Sequence, residues 1–446
     1  MRVVVVGGGL AGLASAARLS KLGHELTLLE QEDRLGGALV PWTESGFTWD
    51  RGAHSTLLPA VLRDLFRKSG RPLEKELDLV PVDVIRTHRF ADGSVLELPG
   101  GSRGAQSRAF DGLADGRADG RGAGLGRRWL DHVASYADTW EVLRRHHLEA
   151  PTPWDRLPTE ARAILRSRET LHRRLRRDLP DERLRLVAGH RFVAQGHDLR
   201  NVPAWLGVHA YLEQRFGVWT VAGGFSAVSE ALTRRLVTRG VAVRTGTSVR
   251  DVVVRGGRCV AVDTDAGEID ADAVVCAIDP RRLPTLAPYV AATTPALPPV
   301  LVHLGLGGEV PDVGHELVLH GDPLLVVRTG GSAPDGRTAW TVLGRGRIAE
   351  DLLLALARAG LDVRDRVAVR VDRSARAQVE AGGSAMGVLW QGRGTVRRRL
   401  GPTTPVPGLY AAGAHATPGS GVPMVGLSAA LVAQVVGPAD GRTVRR

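Results

Sequence analysis

The stretch that most constrains this chain is residues 2–37, RVVVVGGGLAGLASAARLSKLGHELTLLEQEDRLGG. Arg2 to Val6 is a β-branched run, as expected of a strand buried in a parallel sheet. Gly7, Gly9 and Gly12 then form a G-x-G-x-x-G pattern. From Leu10 to Leu22 the apolar residues Leu10, Leu13, Ala14, Ala17 and Leu22 share one helical face, Gly23 stops the helix, and Glu25 to Glu30 is a second strand. Each glycine has its own task in such a turn. Gly7 permits the tight reversal, Gly9 lets a pyrophosphate approach the backbone, and Gly12 lets helix and strand pack closely. The helix start at Leu10 and Ala11 offers free N–H groups and partial positive charge for phosphates. Glu30 follows Gly12 by 18 residues, close to the ~20 expected of an acid that binds ribose hydroxyls. An acid there disfavours a 2′-phosphate, so NADP is not expected.

A glycine triplet alone would arise by chance in a chain with 55 glycines; strand, triplet, helix, second strand and acid in order point to a dinucleotide site. A length of 446 residues predicts two domains. The net charge is +11, yet only three lysines are present (Lys21, Lys68, Lys75), so the arginine excess reads as codon usage in a GC-rich genome. Basic clusters can touch anionic surfaces, but no nucleic-acid motif accompanies them. Cys259 and Cys276 sit in apolar strand-like runs and read as small buried residues, not as a disulfide or metal site. Arg2 leads straight into the first strand, so no signal peptide is expected. No run of about 18 apolar residues exists to span a membrane. The expectation is a cytoplasmic protein, with peripheral membrane contact as an option and its oligomeric state undetermined.

Along the chain, Gly52 to Phe66 is predicted helical, with Leu58, Leu62, Leu65 and Phe66 inward. Val80–Arg86 and His88–Leu98 read as strands joined at Ala91-Asp92-Gly93-Ser94. Pro99 to Arg128 is rich in Gly, Arg, Asp and Ala and reads as a surface loop, and Trp129 to Leu148 as a helix. In residues 157–187, Leu157, Ala161, Ile164, Leu165, Leu171, Leu175 and Leu179 fall near helical spacing among many arginines. That pattern suits either a helix packed on its own domain or one lying on an anionic membrane. Phe225 to Arg239 is a helix, followed by a β-meander back onto the cofactor sheet. Residues 298–380 read as an antiparallel sheet with a helix at Ile348–Ala359.

Directly after the acid comes Asp33-Arg34-Leu35-Gly36-Gly37, then Gly46-Phe47-Thr48-Trp49-Asp50-Arg51-Gly52. This resembles the second half of the fingerprint of two-dinucleotide-binding-domain flavoproteins, in which FAD fills the first site. The resemblance places Arg34, Gly36 and Gly37 near the flavin end of the cofactor; most members carry Arg where Ala38 stands here. It also implies that the strand around Val249 offers backbone to the adenine and that Ala277, Ile278 and Asp279 close over the cofactor. Near the C-terminus, Gly408 to Ala414 is a strand ending in glycine, His415 to Gly426 is a Gly/Pro-rich turn, and Leu427 to Val436 is helical. A helix start at such a turn, around Gly421 and Val422, suits the flavin ring or ribitol and can stabilise negative charge on a reduced flavin. Gly413, Ala414, Pro418, Gly419, Gly421 and Pro423 match the pattern G-A-x-T-H-P-G-x-G-I-P-G of bacterial carotenoid (phytoene) desaturases; the family His is Thr417 here, with His415 nearby. The resemblance covers the first 60 or so residues, 205–282 and about 375–436.

The implied architecture is α/β: a Rossmann-like FAD-binding domain (1–79, 211–290 and 381–446) interleaved with an α+β substrate domain (80–210 and 291–380). The implied chemistry is hydride transfer between FAD and a hydrophobic isoprenoid or polyene substrate, with the protein positioning the reactants and excluding water. A cation delocalised over a polyene needs no strong base, in keeping with the lack of any Ser–His–Asp, Cys–His or metal-spaced cluster; His415 is the candidate proton acceptor. A flavin amine oxidase or protoporphyrinogen-oxidase type is the alternative. Amine oxidases of this fold usually place a lysine near the flavin and carry A-G-E in the C-terminal turn, whereas this chain has no lysine after Lys75 and has Ala414 at the Glu position. A flavin-free, prenyl-protein-binding module of the same fold is the remote alternative.

Overall fold

The computed structural model describes residues 1–113, 124–150, 152–381 and 384–439. At its centre is a five-stranded, all-parallel sheet in the order Leu409–Ala411, Ala273–Cys276, Arg2–Val6, Glu25–Leu29, Ala242–Arg244. Val3 to Val6 are buried because the sheet is covered on both faces, which is why its strands are continuously apolar. Helices Leu10–Lys21, Pro59–Ser69, Ser226–Thr238 and Val422–Val436 bury their apolar sides on one face. The other face meets a three-stranded meander, Val249–Arg255, Arg258–Thr264 and Gly267–Asp270. The meander is a sheet of its own: Ala242–Arg244 before it and Ala273–Cys276 after it join the parallel sheet, while its three strands pair among themselves and pack across that sheet's face. Cys259 and Cys276 are buried and unpaired.

A seven-stranded sheet forms the second layer: Val367–Arg373, Val300–Gly307, Arg337–Arg345, Leu324–Thr329, Glu316–Leu319, Val84–Arg89 and Val95–Pro99, in that order. It is antiparallel except where Glu316–Leu319 runs parallel to Val84–Arg89. That pairing is what stitches the early hairpin to the late strands, and it makes the sheet mixed. The parallel sheet thus draws strands from 2–29, 242–276 and 409–411, the second sheet from 84–99 and 300–373. The division expected at 210/211 falls inside helix Val208–Phe216.

Three local expectations need correction. Residues 53–58 are not helical; the helix starts at Pro59, whose fixed φ suits a first turn, after Leu58 in a left-handed conformation. The region 99–128 is not all loop: Arg103–Gly112 is a helix, as is Leu125–Ala134, while 114–123 lie outside the described residues. Ser102 Oγ caps the first of these by accepting from the Ala105 N–H (3.3 Å), and Phe110 stacks on Trp129 with ring centroids 4.4 Å apart. The predicted C-terminal helix begins five residues early, at Val422 instead of Leu427, with Pro423 in its first turn. The helices from 103 to 216 form one apolar cluster. In the Arg-rich stretch, Leu157, Ala161, Leu165, Leu171, Leu175 and Leu179 all face this core. Arg174 and Arg177 pair with Glu169 and Asp178, so the apolar side of this region is already covered by its own domain. No helix among the described residues is long and apolar enough to cross a membrane.

Candidate active site

The parallel strands end, at their carboxyl edge, on a cavity of about 740 Å³ that reaches to the seven-stranded sheet. Its first end is made of glycine turns. A Cβ on Gly12 would lie 1.8 Å from the Gly7 carbonyl oxygen, so only glycine lets this helix seat against this strand. Gly12 accordingly does not line the cavity; Gly7, Gly9, Leu10 and Ala11 do. The Arg34-x-Gly36-Gly37 segment docks on the same turn: the Gly36 N–H donates to the Gly8 carbonyl (2.9 Å), and a Cβ on Gly37 would come within 3.0 Å of Gly9 Cα. Two glycine-rich turns, 28 residues apart in sequence (Gly9 to Gly37), therefore face one another with bare backbone toward the cavity. Glu30 sits at the end of its strand, accepting from the N–H of Gly8 (2.6 Å) and of Glu32 (3.0 Å); this orients the carboxylate at the cavity wall.

The remaining expected residues fall along this wall. Val249 and Ala277 line it, as do Gly413, Ala414, Gly421 and Val422 at the other glycine-rich turn. The Arg34 side chain is mostly exposed at the mouth, with Asp33 its nearest acid at 3.7 Å. His415 is buried. Its Nε2–H donates to the Ser384 carbonyl (3.0 Å), while Nδ1 lies 3.7 Å from Asp279. Burial, only partly offset by Asp279, holds its imidazole below the ordinary value.

The far end of the cavity is built from side chains that no local pattern announces. Arg86 makes a bidentate ion pair with Glu213 (2.9 and 2.6 Å). Glu316 receives Arg328 Nε at 2.7 Å, with His54 Nε2 at 3.1 Å and His190 Nε2 at 3.4 Å. Burial works against the charged form of Glu316, yet Arg328 and the two histidines outweigh it and hold the carboxyl well below its usual range. Burial keeps the surrounding histidines neutral: His54 is pushed down to about 3, and His88, His190 and His315 are lowered as well. Arg191, on helix Glu182–Ala194, reaches into the same space. Leu57, Ile85, Val218, Leu301, Leu343 and Met386 supply apolar side chains to the same cavity. These charged partners are 127 residues apart (Arg86 and Glu213) or on different sheet strands, so the only sequence signal was an isolated charge inside an otherwise apolar strand or helix.

Parallel sheet, glycine turn at its carboxyl edge and acid after the second strand define a dinucleotide-binding oxidoreductase fold. The comparisons with known proteins are specific about which kind. Residues 10–437 match the family described as flavin-containing amine oxidoreductase, and the chain belongs to that family. The chain is 28% identical to hydroxyneurosporene desaturase of Cereibacter sphaeroides, over 98% of this chain and 97% of that one. It is 27% identical to the zeta-carotene-forming phytoene desaturase of Myxococcus xanthus, over 97% and 93% of the two chains. Among solved structures, putrescine oxidase with bound putrescine superposes with a TM-score of 0.69 at 18% identity, over 98% of this chain and 99% of that one. An oxidoreductase from Methanosarcina mazei gives 0.65 at 19%, over 97% and 100%; at these identities the likeness is one of fold. The residues present fit FAD: the opposed glycine turns leave backbone open where a pyrophosphate needs it, and the oriented Glu30 carboxylate stands where ribose hydroxyls are bound. The protein is an FAD-dependent oxidoreductase.

Proposed function

We propose that this enzyme transfers hydride between FAD and a hydrophobic isoprenoid or polyene substrate, as a desaturase or dehydrogenase. The observation that carries this reading is the end-to-end match to proteins named for carotenoid desaturation. Residues Gly9, Gly36 and Gly37 would hold the pyrophosphate, Glu30 the ribose, Val249 the adenine side, and Gly413 to Val422 the flavin side. Bound FAD supplies a two-electron acceptor for hydride. The chain's own part is to position and to exclude water: the apolar wall at Leu57, Ile85, Leu301 and Leu343 receives an extended apolar chain and keeps solvent from the reacting carbons. His415 is the proposed proton acceptor, with its bare Nδ1 turned toward Asp279 and its ring fixed by the Ser384 carbonyl. An approach from a membrane would use the exposed guanidiniums of Arg173 and Arg176, since the leucines beside them face the core.

An amine substrate fits less well. A protonated amine would meet a cavity end holding three guanidiniums (Arg86, Arg191, Arg328) against two carboxylates (Glu213, Glu316). The test is to incubate the purified flavoprotein with phytoene, neurosporene and simple amines and to follow the products by chromatography and absorption. New conjugated double bonds, seen as a red-shifted polyene spectrum, are expected. Oxidation of amines with every polyene left unchanged would overturn the reading.

A further inference from the structure

We propose that Arg191, which meets the cavity where the side-chain end adjoins the flavin-side turn at Gly421, forms an anion subsite that receives a carboxylate at the terminus of the hydrophobic substrate. This rests on the proposed hydrophobic-substrate reading and adds to it a charged end group. Arg86 and Arg328 are neutralised by Glu213 and Glu316. Arg191 makes no hydrogen bond or ion pair to any described side chain; it is partly buried and lines both this cavity and a smaller one beside Trp390 and Arg399. A neighbouring deep guanidinium shows the contrast: Arg399 donates to the Pro418 carbonyl (3.0 Å) and stacks 4.3 Å over Trp390. The histidines around the site are neutral, so Arg191 is the one positive charge in excess among these groups.

An uncompensated charge in a low-dielectric interior is costly. A guanidinium, unlike an ammonium, does not escape the cost by losing its proton. The fold nevertheless keeps room for it. Gly421 stands at the start of helix Val422–Val436, and a Cβ there would lie 3.0 Å from Arg191 Nη2; a larger residue would push the guanidinium aside. A carboxylate matches this arrangement in charge, being a monoanion facing one excess cation, and in shape, because the guanidinium fork takes two oxygens. Leu57, Ile85 and Leu343 line the same cavity as Arg191 and would take the hydrocarbon part of the molecule, leaving its polar group for the guanidinium.

The test uses the flavin-loaded protein and two matched pairs of probes, retinoic acid with retinol and decanoate with decanol, each titrated by the change in flavin absorption. In the wild type the acid of at least one pair should bind about 10- to 100-fold more tightly than its alcohol, as expected of hydrogen bonds to a charged group. Arg191→Gln should abolish that preference while leaving the alcohol's affinity within about twofold, and Arg191→Lys should restore part of it. Preference in the decanoate pair, with no binding of either retinoid, would keep the anion subsite and remove the polyene reading. No acid preference in either pair would overturn the inference. So would an Arg191→Gln protein that keeps the full preference and shows only a lowered flavin reduction potential, for that would make the flavin, not a substrate carboxylate, the partner of this charge.

Discussion

The two ends of the cavity solve the problem of holding a polar group in opposite ways. The cofactor end uses backbone: Gly7, Gly9, Gly36 and Gly37 leave the wall without side chains, and a single acid, Glu30, is fixed by two N–H donors. The far end uses side chains: Arg86 with Glu213, Arg328 with Glu316, and Arg191 beside them. Backbone sites are made by neighbours in sequence, because a turn and the helix it starts are one continuous stretch. Side-chain sites are made by neighbours in space. Here residues from 86, 191, 213, 316 and 328 meet only after one sheet and two helices have packed. The first kind tolerates almost no change in shape; the second is sensitive to charge balance.

The largest effect should come from unbalancing the far end. Glu213→Gln leaves Arg86 buried without its bidentate partner, and breaking a buried pair this way costs about 3–5 kcal/mol. A large fall in Tm of the flavin-loaded protein is the expected readout. Arg86→Met together with Glu213→Leu should return most of that stability, since a well-packed apolar pair of similar volume is close to neutral. A double variant as unstable as the single one would mean that shape, not charge, rules at this end as well.

Next comes the cofactor end. Gly12→Ala places a methyl 1.8 Å from the Gly7 oxygen, so the turn must shift. Overpacking of this kind costs about 3 kcal/mol, and the purified protein should carry almost no flavin by absorbance. Normal flavin content would show that the turn is more plastic than the close contact implies. Glu30→Gln should be milder. It keeps the volume but removes the charge that accepts from Gly8 and Glu32 and that would face the ribose. Hydrogen bonds to a charged group are worth about 1.5–3 kcal/mol, which corresponds to about 10- to 100-fold weaker binding in an FAD titration of the stripped protein.

The same contrast explains what was legible before folding. The parallel sheet, its glycine turn and its acid could be read in order from residues 2–37, since strand, turn and helix periods are local. The strands of the second sheet could be read singly, but not the parallel pairing of Glu316–Leu319 with Val84–Arg89, which joins segments more than 200 residues apart. Helix Arg103–Gly112 was missed because its composition is polar; it is held by one serine cap and by Phe110 against Trp129, contacts that its own sequence does not reveal. Arg191 was passed over as one arginine among many. Its meaning lies in the absence of a partner, and that exists only in three dimensions.

Asp50 lies between the two ends and gives the smallest and most discriminating effect. It lines a side pocket with Arg51, Gly52, His54 and Arg328. Burial pushes its carboxyl up to about 6 against the opposing hydrogen bond from the Phe225 backbone. In the unfolded chain the group has an ordinary carboxylate value of about 4. Between these two values the folded protein holds a proton that the unfolded chain has lost, so the contribution of Asp50 to stability is greatest below about pH 4 and falls as pH rises toward 6. Asp50→Asn removes the group that titrates. Relative to wild type it should therefore gain on the order of 1–2 kcal/mol above pH 6 and nothing at pH 4, read as a difference in Tm at the two pH values. A gain that is the same at both would place the effect in packing alone. A loss at high pH would mean that the charged carboxylate is held by the arginines of the far end, which would extend that charge network across the cavity toward the flavin.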